Sequence, residues 1–226
     1  MPIIVQFISD YVCPYCFINK IALQQACEGK EVQIEYLPYE LTRETQTQVD
    51  IYHDPVRKSA LQRTLSPIVK KLNLDMKLPP QVSPRPYTRL AHEGYLYAKD
   101  YDKCSLYNDK IYESYFSLEL DIGKIDVLKH IADEIGLDIN DFEKALNEGR
   151  YSSEFNEIKD SINQTFKIST LPTIKIGDTI ISGGIYSQDF FESLFKKDKG
   201  KEIETDNSTK ENEITGVGCN INGCSF

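Results

Sequence analysis

Apolar residues fall first in a short unbroken run, then at helical spacing, then in short runs again. Residues 2–8 (PIIVQFI) are rich in branched side chains and predict a buried strand. After Cys13-Pro14-Tyr15-Cys16, the stretch FINKIALQQACEGK puts Phe17, Ile21, Ala22, Leu23 and Ala26 on one helical face. Pro14 suits a first helical position and Gly29 a stop. Val32, Ile34, Tyr36 and Leu37 mark a second strand, so residues 2–37 read as a βαβ unit.

From about residue 45 to 166 the pattern is helical. Asp54-Pro55 is a cap and first-turn signal ahead of VRKSALQRTLSPIVKKLNL, which Pro67 is expected to break or kink, and PPQVSPRP at 79–86 reads as a loop. Further helices are expected near 87–100, 105–118, 124–136 and 140–166, the last split around Gly149, with Asp138 or Asn140 as its start signal. The run at 173–176, the dipeptide Gly177-Asp178 and the run at 179–182 predict a tight hairpin, and a helix from about Ser187 to Lys197 follows. Neither strand-bearing part can bury a sheet alone. The economical arrangement joins them in one sheet with the helical block inserted, an α/β domain of residues 1–44 and 167–197 interrupted by a helical domain at 45–166. Residues 198–226 form a charged tail carrying two cysteines, its stretch to 218 having the composition of a linker.

Composition narrows the function. The 226 residues carry 26 Lys+Arg against 35 Asp+Glu, a formal net charge of −9, which argues against a general nucleic-acid binder because phosphate contacts need a basic surface. A hydrophobic share of 40% with 14 Tyr and 10 Phe suits a globular body. No apolar stretch approaches the ~20 residues of a membrane-spanning helix. The N-terminal MPIIVQFISD lacks the basic start, long apolar centre and cleavage site of a secretory signal, so a cytoplasmic location is expected. Six cysteines, at 13, 16, 27, 104, 219 and 224, then suggest reactive or metal-binding thiols before structural bridges.

A Cys-x-x-Cys opening a helix has a direct chemical reading. The first sulfur lies among the unpaired N–H groups at the positive end of the helix dipole, which favours thiolate, and the second lies one turn inside. Cys13 is the expected nucleophile and Cys16 the thiol that resolves a mixed disulfide. Zinc would need further ligands from Cys219 and Cys224 or from His53, His92 and His130, and no familiar zinc spacing is present. Tyr15 is expected to tune access to the sulfur, Asp10 to cap the turn or raise a nearby thiol, and Cys27 and Cys104 to be small core residues. The tail pair Cys219 and Cys224 could close a small disulfide loop around Asn222-Gly223, stay as idle exposed thiols, or form half a metal site.

SDYVCPYC after the first strand, then RPYTRLAH, YESYF, GKIDVLKHIADEIGLD and LNEGRYSSEF, and finally STLPTIKIGD, together resemble the DsbA-like thioredoxin-fold oxidoreductases, and within them the cytoplasmic FrnE-type branch. The resemblance covers about residues 3–195. It implies a thioredoxin-like fold with an inserted all-helical domain, and a redox-active disulfide at Cys13 and Cys16 with no tightly bound cofactor or metal. Pro14 and Tyr15, with Leu171 and a cis Pro172, would contact substrate. Some FrnE-type proteins carry a second C-terminal pair at the Cys219/Cys224 spacing, which gives that pair an auxiliary redox role. The implied partners are protein thiols and disulfides, with glutathione or a thioredoxin system as reductant, and neither nucleic acid nor membrane. Related hydroxychromene-carboxylate isomerases and kappa-class glutathione transferases commonly place serine first in the motif. The presence of both cysteines favours disulfide exchange over two alternatives, a glutathione-dependent isomerase or transferase and a thiol-based redox sensor.

Overall fold

The computed structural model describes residues 2–198, 218–220 and 223–225. The chain divides into two compact units, Met1–Tyr39 with Lys167–Phe226, and Glu40–Phe166. In the first unit lie β1 (Ile3–Ser9), α1 (Pro14–Cys27), β2 (Val32–Pro38), β3 (Thr173–Ile176), β4 (Thr179–Ser182), α8 (Gln188–Asp198), β5 (Gly218–Asn220) and β6 (Gly223–Ser225). The second unit holds α2 (Pro55–Lys71), α3 (Arg89–Lys99), α4 (Cys104–Phe116), α5 (Ile125–Glu134), α6 (Ile139–Asn147) and α7 (Ser152–Thr165). Of the tail expected at 198–226, residues 199–217 lie outside the described residues, whereas β5 and β6 belong to the first unit.

Four strands make one sheet in the order β2-β1-β3-β4, with β1 and β2 parallel and the β1/β3 and β3/β4 pairs antiparallel. β1 runs between two partners, and Val5, Phe7 and Ile8 are fully buried, as an inner strand of an α/β sheet requires. The hairpin turns on two residues, with Ile176 opposite Thr179 and Gly177 in the left-handed region at φ 54°. Helix α1 packs with α8, whose Phe191 and Phe195 are buried.

The buried stripe of α1 differs from the expected one. Tyr15, Ile18, Asn19, Ala22, Leu23 and Ala26 point inward, while Phe17 and Ile21 are half-buried. Asn19 is the reason. Its Nδ2 donates to the Tyr15 carbonyl at 2.8 Å and the Gly184 carbonyl at 2.9 Å, and its Oδ1 accepts from the Tyr186 N–H at 3.1 Å. A buried polar side chain therefore stitches α1 to the segment leading into α8, and every backbone group it serves is itself buried.

In the helical unit, Asp54 caps α2 by accepting from the Val56 and Arg57 N–H groups, both at 3.0 Å, and Asp138 caps α6 in the same way. Of the break or kink expected at Pro67, the break does not occur, and α2 runs on to Lys71. Leu61, Leu65 and Val69 stay buried at i, i+4 and i+8 across it, so packing on both sides outweighs one missing hydrogen bond. Tyr97 meets Phe142 edge-on at 5.1 Å, and Gly94 is where α3 passes Tyr107 too closely for any Cβ.

Replacing Asn19 with Ala removes the hydrogen bonds to the buried Gly184 carbonyl and Tyr186 N–H, a loss of about 2–3 kcal/mol. Urea unfolding followed by near-ultraviolet dichroism should show the first unit melting at lower denaturant. An unchanged midpoint would mean that these bonds do not hold α1 in place.

Candidate functional site

The site begins where β1 runs out. The Cys13 N–H donates to the Asp10 carbonyl at 3.1 Å, closing a turn directly after the strand. Cys13 is then the N-cap of α1 in extended conformation (φ −92°, ψ 113°), Pro14 opens the helix, and the Cys13 carbonyl accepts from the Phe17 N–H at 3.2 Å. The first sulfur thus sits at the amino end of α1 and the second sits one turn in, as the motif predicts.

Cys13 and Cys16 are free thiols, both fully buried, and they hydrogen-bond to each other. Burial pushes the Cys16 thiol well up, reinforced by the hydrogen bond and charge of Cys13 and by the Asp10 charge, and a backbone hydrogen bond at Asp10 opposes only part of this. Asp10 therefore has both of its expected roles, closing the turn through its backbone and raising a thiol, that of Cys16, through its charge. Tyr15 is wholly buried, and its phenol is pushed above the usual range by burial and by the Cys13 charge. It packs inside the unit instead of standing at the surface.

Opposite the motif, the Leu171–Pro172 bond is cis and Leu171 is fully buried. The Thr173 hydroxyl donates to the Thr170 carbonyl at 2.9 Å and the Gly183 N–H donates to the Pro172 carbonyl at 2.8 Å, which fix this loop to the β3/β4 hairpin. The Cys13 thiol donates to the Leu171 carbonyl at 3.9 Å, a sulfur hydrogen bond between residues 158 apart in sequence. The backbone of Leu171 also pairs with Cys219, donating to its carbonyl at 2.8 Å and accepting from its N–H at 3.2 Å. Cys219 is fully buried and disulfide-bonded, and the β5/β6 register sets Cys224 across from it. Cys219 is accordingly not an idle exposed thiol. Cys13, Cys16, Leu171 and Cys219 come together in one unit, with Pro14, Tyr15 and Pro172 adjacent in the chain.

Cys27 and Cys104 were expected in the core and are instead half-buried, each at an end of its helix where one side stays open. Burial still pushes the Cys27 thiol up to about 11, with the Lys30 charge pulling the other way. His53 pairs with Asp50 at 3.0 Å, His130 with Glu134 at 3.5 Å, and His92 stacks on Phe155. Among the described residues no group of three or more His, Cys, Asp or Glu side chains could hold a metal ion, and no helix is long and apolar enough to cross a membrane. Three residues of the site escaped the sequence reading: Asn19, Thr170 and Gly218. Asn19 carried a signal as a polar residue among Ile18, Ile21 and Ala22, and Gly218 as the glycine immediately before a cysteine.

A Cys-x-x-Cys at the amino end of a helix, facing a cis-proline loop beside a mixed four-stranded sheet, defines a thioredoxin-fold dithiol protein. Residues 4–196 match the DSBA-like thioredoxin domain, and the chain belongs to that family. The uncharacterized protein YwbO of Bacillus subtilis (strain 168) is 36% identical over 201 residues, 89% of this chain and all of that protein. Among solved structures, a probable DsbA oxidoreductase from Streptomyces coelicolor superposes with a TM-score of 0.74 at 17% identity, covering 99% of both chains. A 2-hydroxychromene-2-carboxylate isomerase does so at 0.69 and 16%, over 86% of this chain and 93% of that one. The cytosolic disulfide reductase DsbM from Pseudomonas aeruginosa gives 0.64 and 13%, over 87% and 98%. At these identities the structural likeness establishes the fold, a thioredoxin-like fold with inserted helices.

Because folding raises the Cys16 thiol above its ordinary value near ~8.5, the folded protein retains a proton there that the unfolded chain releases first. The stability this proton carries is complete below about pH 8.5 and is lost as the pH climbs above it. Denaturant midpoints of the reduced protein should therefore fall between about pH 7 and about pH 9.5 more steeply in wild type than in Cys16→Ala. Identical slopes would show that Cys16 ionises as readily folded as unfolded.

Proposed function

We propose that the chain is a thiol-disulfide oxidoreductase or isomerase of protein thiols, working in the cytoplasm by mixed-disulfide exchange through Cys13 and Cys16. The observation that carries this reading is the placement of Cys13 at the amino end of α1, hydrogen-bonded to the Leu171 carbonyl, with Cys16 within hydrogen-bond reach. Cys13 as thiolate attacks one sulfur of a substrate disulfide, forming a Cys13–substrate bond and releasing the other substrate sulfur as a thiolate that takes up a proton. Cys16 then loses its proton to solvent and attacks the Cys13 sulfur. The substrate leaves with its second thiol, and two electrons have passed from the Cys13/Cys16 dithiol to the substrate. The reverse sequence oxidises a substrate dithiol.

The raised Cys16 thiol suits the resolving role. It stays protonated while Cys13 attacks, and the Cys13 charge that helps to raise it disappears once Cys13 is tied up in a mixed disulfide. Leu171, Pro172, Pro14 and Tyr15 serve as the substrate contact, Leu171 offering its N–H and carbonyl to an extended polypeptide. Cys219, disulfide-bonded and paired with Leu171, supports a relay in which the tail disulfide exchanges electrons with the Cys13/Cys16 pair in the same two steps. Glutathione is the favoured reductant, in keeping with a structural relative at TM-score 0.55 solved as the cytosolic disulfide reductase DsbM with GSH. The likeness to an isomerase keeps glutathione-dependent isomerisation as the second reading, which glutathione-conjugation assays set beside insulin reduction would separate.

Cys13→Ser should reduce insulin reduction and scrambled-ribonuclease refolding to the uncatalysed background, whereas Cys16→Ser should retain the first step and accumulate covalent protein–substrate adducts, visible by non-reducing mass spectrometry. Equal loss in both variants, with no adduct in the second, contradicts the assignment.

A further inference from the structure

The backbone edge that would receive a substrate is already occupied by the chain itself. Leu171 exchanges both of its backbone hydrogen bonds with Cys219, forming a closely spaced antiparallel pair. The Thr170 hydroxyl adds a bond to the Cys219 carbonyl at 3.4 Å. Strand β5 also contacts α1, the helix that Cys13 caps. The carbonyl oxygen of Leu171 accepts from the Cys13 thiol and from the Cys219 N–H together, so the docked strand sits at the same acceptor as the reactive sulfur. With this strand in place Cys13 has no exposed surface.

Docking this close demands glycine. A Cβ on residue 218 would overlap the Thr170 hydroxyl, stand 2.8 Å from the Leu171 carbonyl oxygen and 3.2 Å from the Gly183 Cα. The Thr170 side chain can turn away, but the two backbone atoms cannot do so without moving the loop that faces Cys13.

We infer that Gly218–Asn220 is a resident pseudo-substrate, which closes the Cys13 site in cis and which an extended polypeptide must displace before it can react. The inference rests on the proposed disulfide exchange and adds regulation to it. Strand addition at a free edge is a common way for a groove to bind an extended peptide, and here the segment that takes the edge carries a disulfide-bonded cysteine, the group the site is built to attack. Among the described residues one pair, Leu171 and Cys219, is bridged, a short contact for a displaceable strand. The apparent affinity for any outside polypeptide is then lowered by the fraction of molecules with the edge free.

The test uses the full-length chain and two readouts that need no turnover. In wild type the Leu171 amide should be protected from hydrogen exchange and Cys13 should react slowly with iodoacetamide. In Gly218→Val, with the far-ultraviolet dichroism retained, the Leu171 amide should lose protection and alkylation of Cys13 should quicken on the order of tenfold or more. A Leu171 amide that exchanges freely in wild type overturns the inference without recourse to any variant. So does a Gly218→Val protein whose Leu171 amide is exposed while Cys13 alkylates at the wild-type rate. A variant that opens Cys13 yet catalyses no disulfide exchange would remove the proposed activity and leave the closure standing.

Discussion

The carbonyl oxygen of Leu171 receives two donors from opposite ends of the chain, the Cys13 thiol and the Cys219 N–H. For both to reach it, the turn after β1 must deliver Cys13 to the amino end of α1, and the segment before β3 must present its backbone to the outside of the sheet. Each condition has its own support. Asn19 ties the underside of α1 to the chain near Tyr186, while Thr173 and Gly183 hold the loop at Pro172. A carbonyl oxygen has two lone pairs, so the arrangement satisfies it fully.

Burial gives the two thiols their different standing. Water is excluded from both, but Cys13 stands at the amino end of α1 with its thiol on the Leu171 carbonyl, and Cys16 is enclosed one turn further in. Desolvation then weighs on Cys16, and the Cys13 charge adds to it. The helix holds the two sulfurs one turn apart, with only Pro14 and Tyr15 between them in the chain.

Much of this was legible in the residues. The βαβ start, the hairpin at Gly177-Asp178, the Asp54 and Asp138 caps and the position of Cys13 each followed from local chemistry that acts within a few residues. What was not legible depended on distant partners. The buried face of α1 is rotated because Asn19 finds two backbone groups in a segment some 165 residues away, and periodicity counts an asparagine as outward-facing. Pro67 was tolerated because Leu61, Leu65 and Val69 pack on either side of it. The docking of β5 could not be read at all, since a strand of three residues carries no periodic signal, and its glycine declares itself only once Thr170 and Gly183 are seen beside it.

That Cys13 exchanges disulfides at the Leu171 edge, with Cys219 in reach, is tested most directly by removing the usual partner of each. In a Cys16→Ser, Cys224→Ser chain treated with oxidised glutathione and digested without reduction, the account predicts an intramolecular Cys13–Cys219 disulfide as the main product, formed with release of two equivalents of reduced glutathione. Recovery of Cys13 bonded to Cys27 or Cys104, or of Cys13 and Cys219 each bearing only glutathione, would contradict it.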